Sequence, residues 1–377
     1  MSVVKQKIIV GMSGGVDSAV AALKLVRAGH DVAGLHMTNW EDDDGYCTAA
    51  ADLQDARTIC RELDIPLHSV NFAAEYRDQV FSYFLDEYKR GRTPNPDVLC
   101  NREIKFGVFL EYARRLGAEK IATGHYARVN PGPPAQLLKA ADAGKDQTYF
   151  LHQVSELALR DTLFPLGDTV KSDVRRIANE AGLPVYDKRD STGICFIGER
   201  PFKDFLSQFL TSESGVMQTP EGIEIGQHAG VMYYTLGQRQ GLGIGGVASG
   251  NDEPWFVAEK DPQRNILTVV QGRDHPLLWS DEMTTESPHW INGAPNALTT
   301  GKVWHCTVKT RYRQQDVPAR VMSTAQGLHV AFDTPQWAVT PGQYAVFYDG
   351  DVCSGGAVIE SAIHVATAVA DTGTAPL

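Results

Sequence analysis

Ser13-Gly14-Gly15-Val16-Asp17-Ser18 concentrates phosphate-binding chemistry in six residues. Two adjacent glycines let backbone N–H groups approach an anion with no Cβ in the way, and the Ser13 and Ser18 hydroxyls add donors. Such a loop suits a pyrophosphate. It lacks the Gly-Lys-Ser/Thr ending of the commonest phosphate loop and the Gly-x-Gly-x-x-Gly spacing of dinucleotide sites. Asp17 stands where that lysine would be, and a carboxylate beside phosphates calls for a divalent cation, so the loop implies Mg²⁺ with its nucleotide. Two glycines alone would mean only a tight turn. The full set, at a strand-to-helix junction where an open α/β sheet receives phosphates, points to a nucleotide site.

Two cysteines stand apart from the other four. Cys100 follows the turn-rich Arg92-Thr93-Pro94-Asn95-Pro96-Asp97-Val98-Leu99, just before a helix that the periodicity starts near Glu103, with Arg102 and Lys105 at hand. Helix N-termini and nearby cations stabilise a thiolate. Cys195 lies in Asp190-Ser191-Thr192-Gly193-Ile194-Cys195-Phe196-Ile197-Gly198, where glycines give freedom to swing. Either alone reads as a small buried apolar residue; the pair, both in polar turn-rich surroundings, reads as reactive. Cys47, Cys60, Cys306 and Cys353 lack such surroundings and read as structural. No Cys-x-x-Cys or Cys/His cluster at zinc spacing occurs, which disfavours a metal or iron–sulfur centre.

Elements must carry these residues. From Lys7 to about Tyr186, short β-branched runs alternate with helical periods, the pattern of βαβ units on a doubly wound parallel sheet. Ile8-Ile9-Val10 reads as the first strand, Val16 to Val26 as a helix stopped at Gly29, Val32 to Met37 as the next strand, and Lys120 to Thr123 as a strand ending at Gly124-His125. Beyond about residue 200 the texture changes to short strands and frequent glycines. A small mixed central domain is expected first, then a C-terminal β-barrel or sandwich with a hairpin turning at Asp349-Gly350. A half-buried strand over 304–313 carries a basic face of His305, Lys309, Arg311 and Arg313. The expected boundaries are 1–205, 206–275 and 276–366, with a tail over 367–377.

Length and composition agree. The 377 residues make roughly two to three domains. Six cysteines and 43% hydrophobic residues exclude disorder and a disulfide scaffold. The N-terminal residues show neither an apolar signal core nor a cleavage site, and no run of 18 apolar residues exists, which predicts a cytoplasmic protein. A formal charge of −11 argues against a generally basic surface but leaves room for a local one.

The Ser-Gly-Gly-x-Asp-Ser loop resembles that of the N-type (PP-loop) ATP pyrophosphatases of adenine nucleotide alpha hydrolase-like fold, which adenylate a carbonyl oxygen and then install nitrogen or sulfur. Longer motifs narrow the resemblance. Gly91 to Phe106, Ala122-Thr123-Gly124-His125-Tyr126-Ala127-Arg128, Lys145-Asp146-Gln147-Thr148-Tyr149-Phe150-Leu151, the Cys195 segment and Tyr234-Thr235-Leu236-Gly237-Gln238-Arg239 are together similar to the bacterial tRNA 2-thiouridylase family, in order from about residue 7 to 360. The resemblance implies that Gly11, Met12, Ser13, Gly14, Gly15, Val16, Asp17, Ser18, Met37 and Gly124 bind ATP. It also implies that Asn95, Pro96 and Asp97 meet the target base, and that His125, Lys145, Asp146, Gln147, Arg311, Tyr312 and Gln343 contact tRNA.

The implied chemistry replaces O2 of the wobble uridine, position 34 in the anticodon, with sulfur. Cys100 would be the nucleophile and Cys195 the persulfide carrier, joined transiently as a disulfide, with Asp97 a candidate acid or base. A cysteine desulfurase or sulfur-relay protein would supply the sulfur. Direct attack by the terminal persulfide sulfur fits the residues equally. Two other readings are weaker. A nitrogen-installing synthetase would leave the cysteines idle and lacks a recognisable glutaminase segment, and a non-catalytic RNA-binding protein sits poorly with the acidic charge.

Overall fold

The computed structural model describes residues 4–41, 49–189, 201–244 and 253–364. Five parallel strands form the first sheet: β1 (Lys7–Gly11), β2 (Asp31–Thr38), β3 (Leu67–Asn71), β4 (Lys120–Ala122) and β7 (Thr162–Leu163), in the order β3-β2-β1-β4-β7. Ile8, Ile9 and Val10 are fully buried because β1 lies at the centre with helices on both faces. On one face, α1 (Val16–Arg27), α2 (Ala49–Glu62) and α5 (Lys171–Glu180) bury Val20, Ile59 and Val174. On the other lie α3 (residues 73–89) and α4 (residues 96–115) with Tyr76, Phe84 and Phe109. The strand order reverses between β1 and β4, the place where open α/β sheets bind ligands.

Helix α4 begins at Pro96 and not near Glu103, so Cys100 sits inside the helix as its fifth residue. Asn95 caps it, its Oδ1 accepting the Asp97 N–H at 3.2 Å, and Pro96 arrives with its φ preset. The Thr-Pro-Asn-Pro run is therefore a helix start. From Cys100 to Val108 the helix widens into a π-helical stretch, a distortion common at functional sites.

A hairpin of β5 (Arg128–Asn130) and β6 (Gln136–Leu138) leaves the first unit and pairs with the C-terminal sheet. The central unit is a mixed sheet of β8 (Gly215–Gln218), β9 (Glu224–His228), β10 (Trp255–Asp261) and β11 (Ile266–Gln271). The C-terminal sheet contains β12 (Trp279–Thr285), β13 (His289–Trp290), β14 (Trp304–Lys309), β15 (Val317–Ser323), β16 (Leu328–Trp337), β17 (Tyr344–Asp349) and β18 (Val352–His364). Its order β12-β16-β15-β14-β17-β18 closes through β18–β12 pairing into a six-stranded barrel around Val308, Val330 and Phe347. The expected strand over 304–313 stops at Lys309, because Gln314 Oε1 accepts from the Thr310 N–H and hydroxyl and turns the chain. Its basic face is divided, His305 and Arg313 being exposed and Lys309 not. Lys309 is buried against Asp146 at 3.5 Å.

Candidate active site

The glycine loop leaves β1 at the strand-order reversal and enters α1 with Gly15 as N-cap. Its hydroxyls are already organised. Ser18 Oγ donates to the Gly15 carbonyl at 3.0 Å and accepts the Ser13 N–H at 3.3 Å, while the two serine oxygens lie 3.2 Å apart. Gly14 is required twice over, since its φ is +75° and a Cβ there would sit 2.4 Å from the Asp52 carbonyl of α2. Gly124, at the end of β4, is equally confined: a Cβ would lie 2.8 Å from the backbone of Asp17 and Ser18. Loop and strand end thus share one crevice. Met37 is near the end of the adjoining β2, and Met12 N–H donates to the Leu35 carbonyl at 3.0 Å to hold loop and strand together.

Sequence reasoning placed Asp17 here but not its partners. The Asp17 carboxylate accepts from Lys171 Nζ at 2.7 and 2.8 Å and from the Tyr126 hydroxyl at 2.8 Å. Tyr126 is pinned in turn by Gln147, whose Oε1 accepts the Tyr126 N–H at 2.9 Å. A second lysine, Lys188, bridges Asp52, Asp55 and the Gly14 carbonyl. Tyr126 lay inside a motif already singled out. Lys171 and Lys188 carried no local signal, being brought to the loop only by folding.

Helix α4 carries the thiol past this crevice. Phe109 Cζ lies 3.5 Å from where a Gly11 Cβ would be, and the Phe106 ring is 5.9 Å from His125, next to Gly124. Cys100 is nine residues from Phe109 on the same helix, an axial rise of roughly 14 Å or less, and is buried with 1% exposure. Asp97, one turn before it, has its carboxyl pushed up by burial and pulled back in part by Lys105. His125 is held neutral, its pKa driven well down by burial and then by the same Lys105; its Nδ1 meets Thr123 Oγ1 at 2.8 Å. Lys105 therefore acts electrostatically on both the helix start and the strand end.

Cys195 and Cys47 lie outside the described residues. Among the described residues, burial raises the thiol of Cys60 to about 11 and of Cys306 to about 12, and that of Cys353 further still, as inert structural cysteines require. No group of three or more His, Cys, Asp or Glu there could hold a metal ion. No helix there is long and apolar enough to cross a membrane.

The remaining residues marked out for tRNA gather along the seam between the first unit and the barrel. Lys145 N–H donates to Asp142 O at 3.0 Å. Asp146 is buried and accepts from the Ala140 N–H at 3.0 Å and the Thr148 hydroxyl at 2.8 Å. Arg311 donates to the Leu236 and Ala338 carbonyls and to Thr340 Oγ1, bolting the central unit to the barrel. Tyr312 packs inward on Phe150 with ring centroids 4.4 Å apart, and Gln343 reaches Thr93.

Comparisons with known proteins match the chain in three stretches and give its lineage. Three family models match: the tRNA methyl transferase HUP domain over residues 6–199, the tRNA methyl transferase PRC-barrel domain over 203–271 and the aminomethyltransferase beta-barrel domain over 280–359. The "tRNA-specific 2-thiouridylase MnmA" of Chromohalobacter salexigens is 59% identical, covering 94% of this chain and 92% of that protein. The proteins of the same name from Methylococcus capsulatus and Alcanivorax borkumensis are 55% and 57% identical, each over 94% of this chain and 96% and 97% of their own lengths. With the glycine loop, the Cys100 helix and the three-part architecture all in place, the chain belongs to the tRNA-specific 2-thiouridylase family.

Proposed function

We propose that this protein is an ATP-dependent tRNA 2-thiouridylase, a sulfurtransferase acting on O2 of the wobble uridine. The observation that carries the reading is the run of α4, which packs Phe109 against the start of the nucleotide loop and bears Cys100 on the same rigid element. A ring carbonyl oxygen is a very poor leaving group. Its attack on the α-phosphorus of ATP makes it a phosphate-type leaving group and expels pyrophosphate towards the loop N–H groups and the serine hydroxyls. Mg²⁺ would fit Asp17 together with phosphate oxygens, one protein carboxylate plus substrate oxygens being an ordinary set for that ion, and would supply charge neutralisation.

Sulfur arrives as a persulfide on Cys195. The Cys100 thiolate attacks the inner sulfur, forming a Cys100–Cys195 disulfide and releasing hydrosulfide, which adds to C2 as AMP departs with the oxygen. A dithiol reductant restores the cysteines, and a cysteine desulfurase or sulfur-relay protein reloads Cys195. Asn95, Pro96 and Asp97 would meet the unstacked base, Asp97 as the acid or base, its carboxyl held above the usual carboxylate range by burial. His125, Lys145, Asp146, Gln147, Arg311, Tyr312 and Gln343 would set the surface that receives the anticodon stem-loop, in the cytoplasm. The test is pyrophosphate release with unmodified tRNA. Release and 2-thiouridine formation that both require tRNA and a persulfide donor are expected; ammonia-dependent release without RNA would replace this reading with a nitrogen-installing one.

A further inference from the structure

A glycine loop that cradles a triphosphate ordinarily carries its own lysine, and this one carries an aspartate. The fold supplies an ammonium from elsewhere. Lys171, 154 residues downstream, places Nζ within 2.8 Å of both Asp17 oxygens. Asp17 is the second residue of α1, so this ammonium stands beside the N–H groups on which phosphates would settle. We propose that Lys171 is the phosphate-binding cation of the nucleotide site, parked on Asp17 until a triphosphate competes for it. The proposal rests on the ATP-binding reading above.

Three further observations support it. The ion pair is at the mouth of the crevice: the Lys171 side chain is 13% exposed and that of Asp17 31%, so the ammonium is partly desolvated while its partner stays open to an incoming ligand. Lys171 is also the first residue of α5, where the positive end of the helix disfavours a bare cation and welcomes an anion beside it. Its main chain is anchored independently of Asp17, because its own N–H donates to Asp142 Oδ2 at 2.9 Å, and its ammonium lies 5.8 Å from the centroid of the Tyr126 ring, itself bonded to Asp17. A lysine whose only purpose was to neutralise Asp17 would not need such a footing. Lys188 differs: clasped by Asp52, Asp55 and the Gly14 carbonyl, it is a strut under the loop.

Calorimetry on the full chain tests this with α,β-methylene ATP, inorganic pyrophosphate and adenosine as probes. Lys171→Met is expected to weaken the triphosphate and pyrophosphate by about tenfold or more, the loss of one charge-assisted contact, with adenosine within twofold of the unaltered protein. Lys171→Arg should keep most of the affinity. Unchanged triphosphate binding in Lys171→Met would overturn the proposal, and so would a parallel loss for adenosine, which would mean a distorted crevice. Failure of the unaltered chain to bind any adenine compound would instead remove the nucleotide reading itself, before any variant is compared.

Discussion

Gln343 donates its side-chain N–H to the Thr93 carbonyl at 2.7 Å, joining residues 250 positions apart in the chain. The grip is reciprocal, since the Thr93 N–H donates to the Pro341 carbonyl at 3.0 Å, and Gly342, with φ of +90°, leaves no room for a Cβ beside Thr93. Arg92 extends it, paired with buried Glu87 at 2.8 Å and with Glu286 of the barrel at 2.7 Å. The barrel thus holds Arg92 and Thr93, just upstream of the Asn95 cap of the cysteine helix. Gln343→Ala removes a contact of about 1 kcal/mol and is expected to lower kcat/KM for tRNA several-fold while ATP affinity stays within twofold. Steady-state kinetics with tRNA and ATP varied in turn decide it; equal effects on both substrates would count against a local role.

Gly124 touches the loop backbone directly. Gly124→Ala drives a Cβ to 2.8 Å from Asp17 and Ser18 backbone atoms that cannot yield cheaply. ATP affinity should fall at least tenfold, with about 1–3 kcal/mol of stability lost, as read by nucleotide titration and denaturant unfolding.

In the proposed reaction Cys100 is the nucleophile. Cys100→Ser should abolish 2-thiouridine formation, leave ATP binding within twofold, and prevent the Cys100–Cys195 disulfide from accumulating in single turnover. Mass spectrometry of the tRNA product and of the protein checks both parts; a fully active variant would falsify the assignment.

The buried pair Lys309–Asp146 ties β14 to the loop before the short helix Thr148–Leu151. Lys309→Met leaves the Asp146 carboxylate enclosed without its cation and should cost about 3 kcal/mol. Adding Asp146→Asn should recover part of that loss in thermal unfolding, because the remaining N–H and hydroxyl donors need an acceptor and not a charge.

Burial lowers Lys260 to about 7, its Nζ donating to the Tyr234 carbonyl at 2.6 Å. An unfolded lysine titrates near ~10.4, so between about 7 and that value the unfolded chain keeps a proton that the folded chain has released. Stability therefore rises with pH across this window and is lowest below it. Lys260→Met should flatten the rise, so that the gain in Tm from pH 7 to pH 9 is smaller in the variant than in the parent.

Much of this was legible in the residues. Ile8-Ile9-Val10, the glycine loop and the Gly29 stop announce a strand, a phosphate turn and a helix, because those signals act over a few neighbouring residues. The hairpin at Asp349-Gly350 was read for the same reason, Gly350 taking φ of +57°. Thr-Pro-Asn-Pro carries a turn signal that delays the expected start of α4, though an Asn cap and a first-position proline are equally its meaning. The strand from 304 was drawn too long because alternation of residue types says nothing of a side chain such as Gln314 that folds back to end it.

The amino-acid sequence by itself determined the kind of chemistry: a loop without a Cβ for phosphates and the motifs of a thiolating family. Tertiary structure alone decided where the charges stand. Lys171 and Lys188 reach the loop, Gln343 locks the barrel to the catalytic unit and Arg311 locks it to the central one, through contacts between residues tens to hundreds of positions apart. Periodicity encodes which face of an element is buried, whereas the partner of a long polar side chain depends on how whole elements pack, and no local pattern carries that.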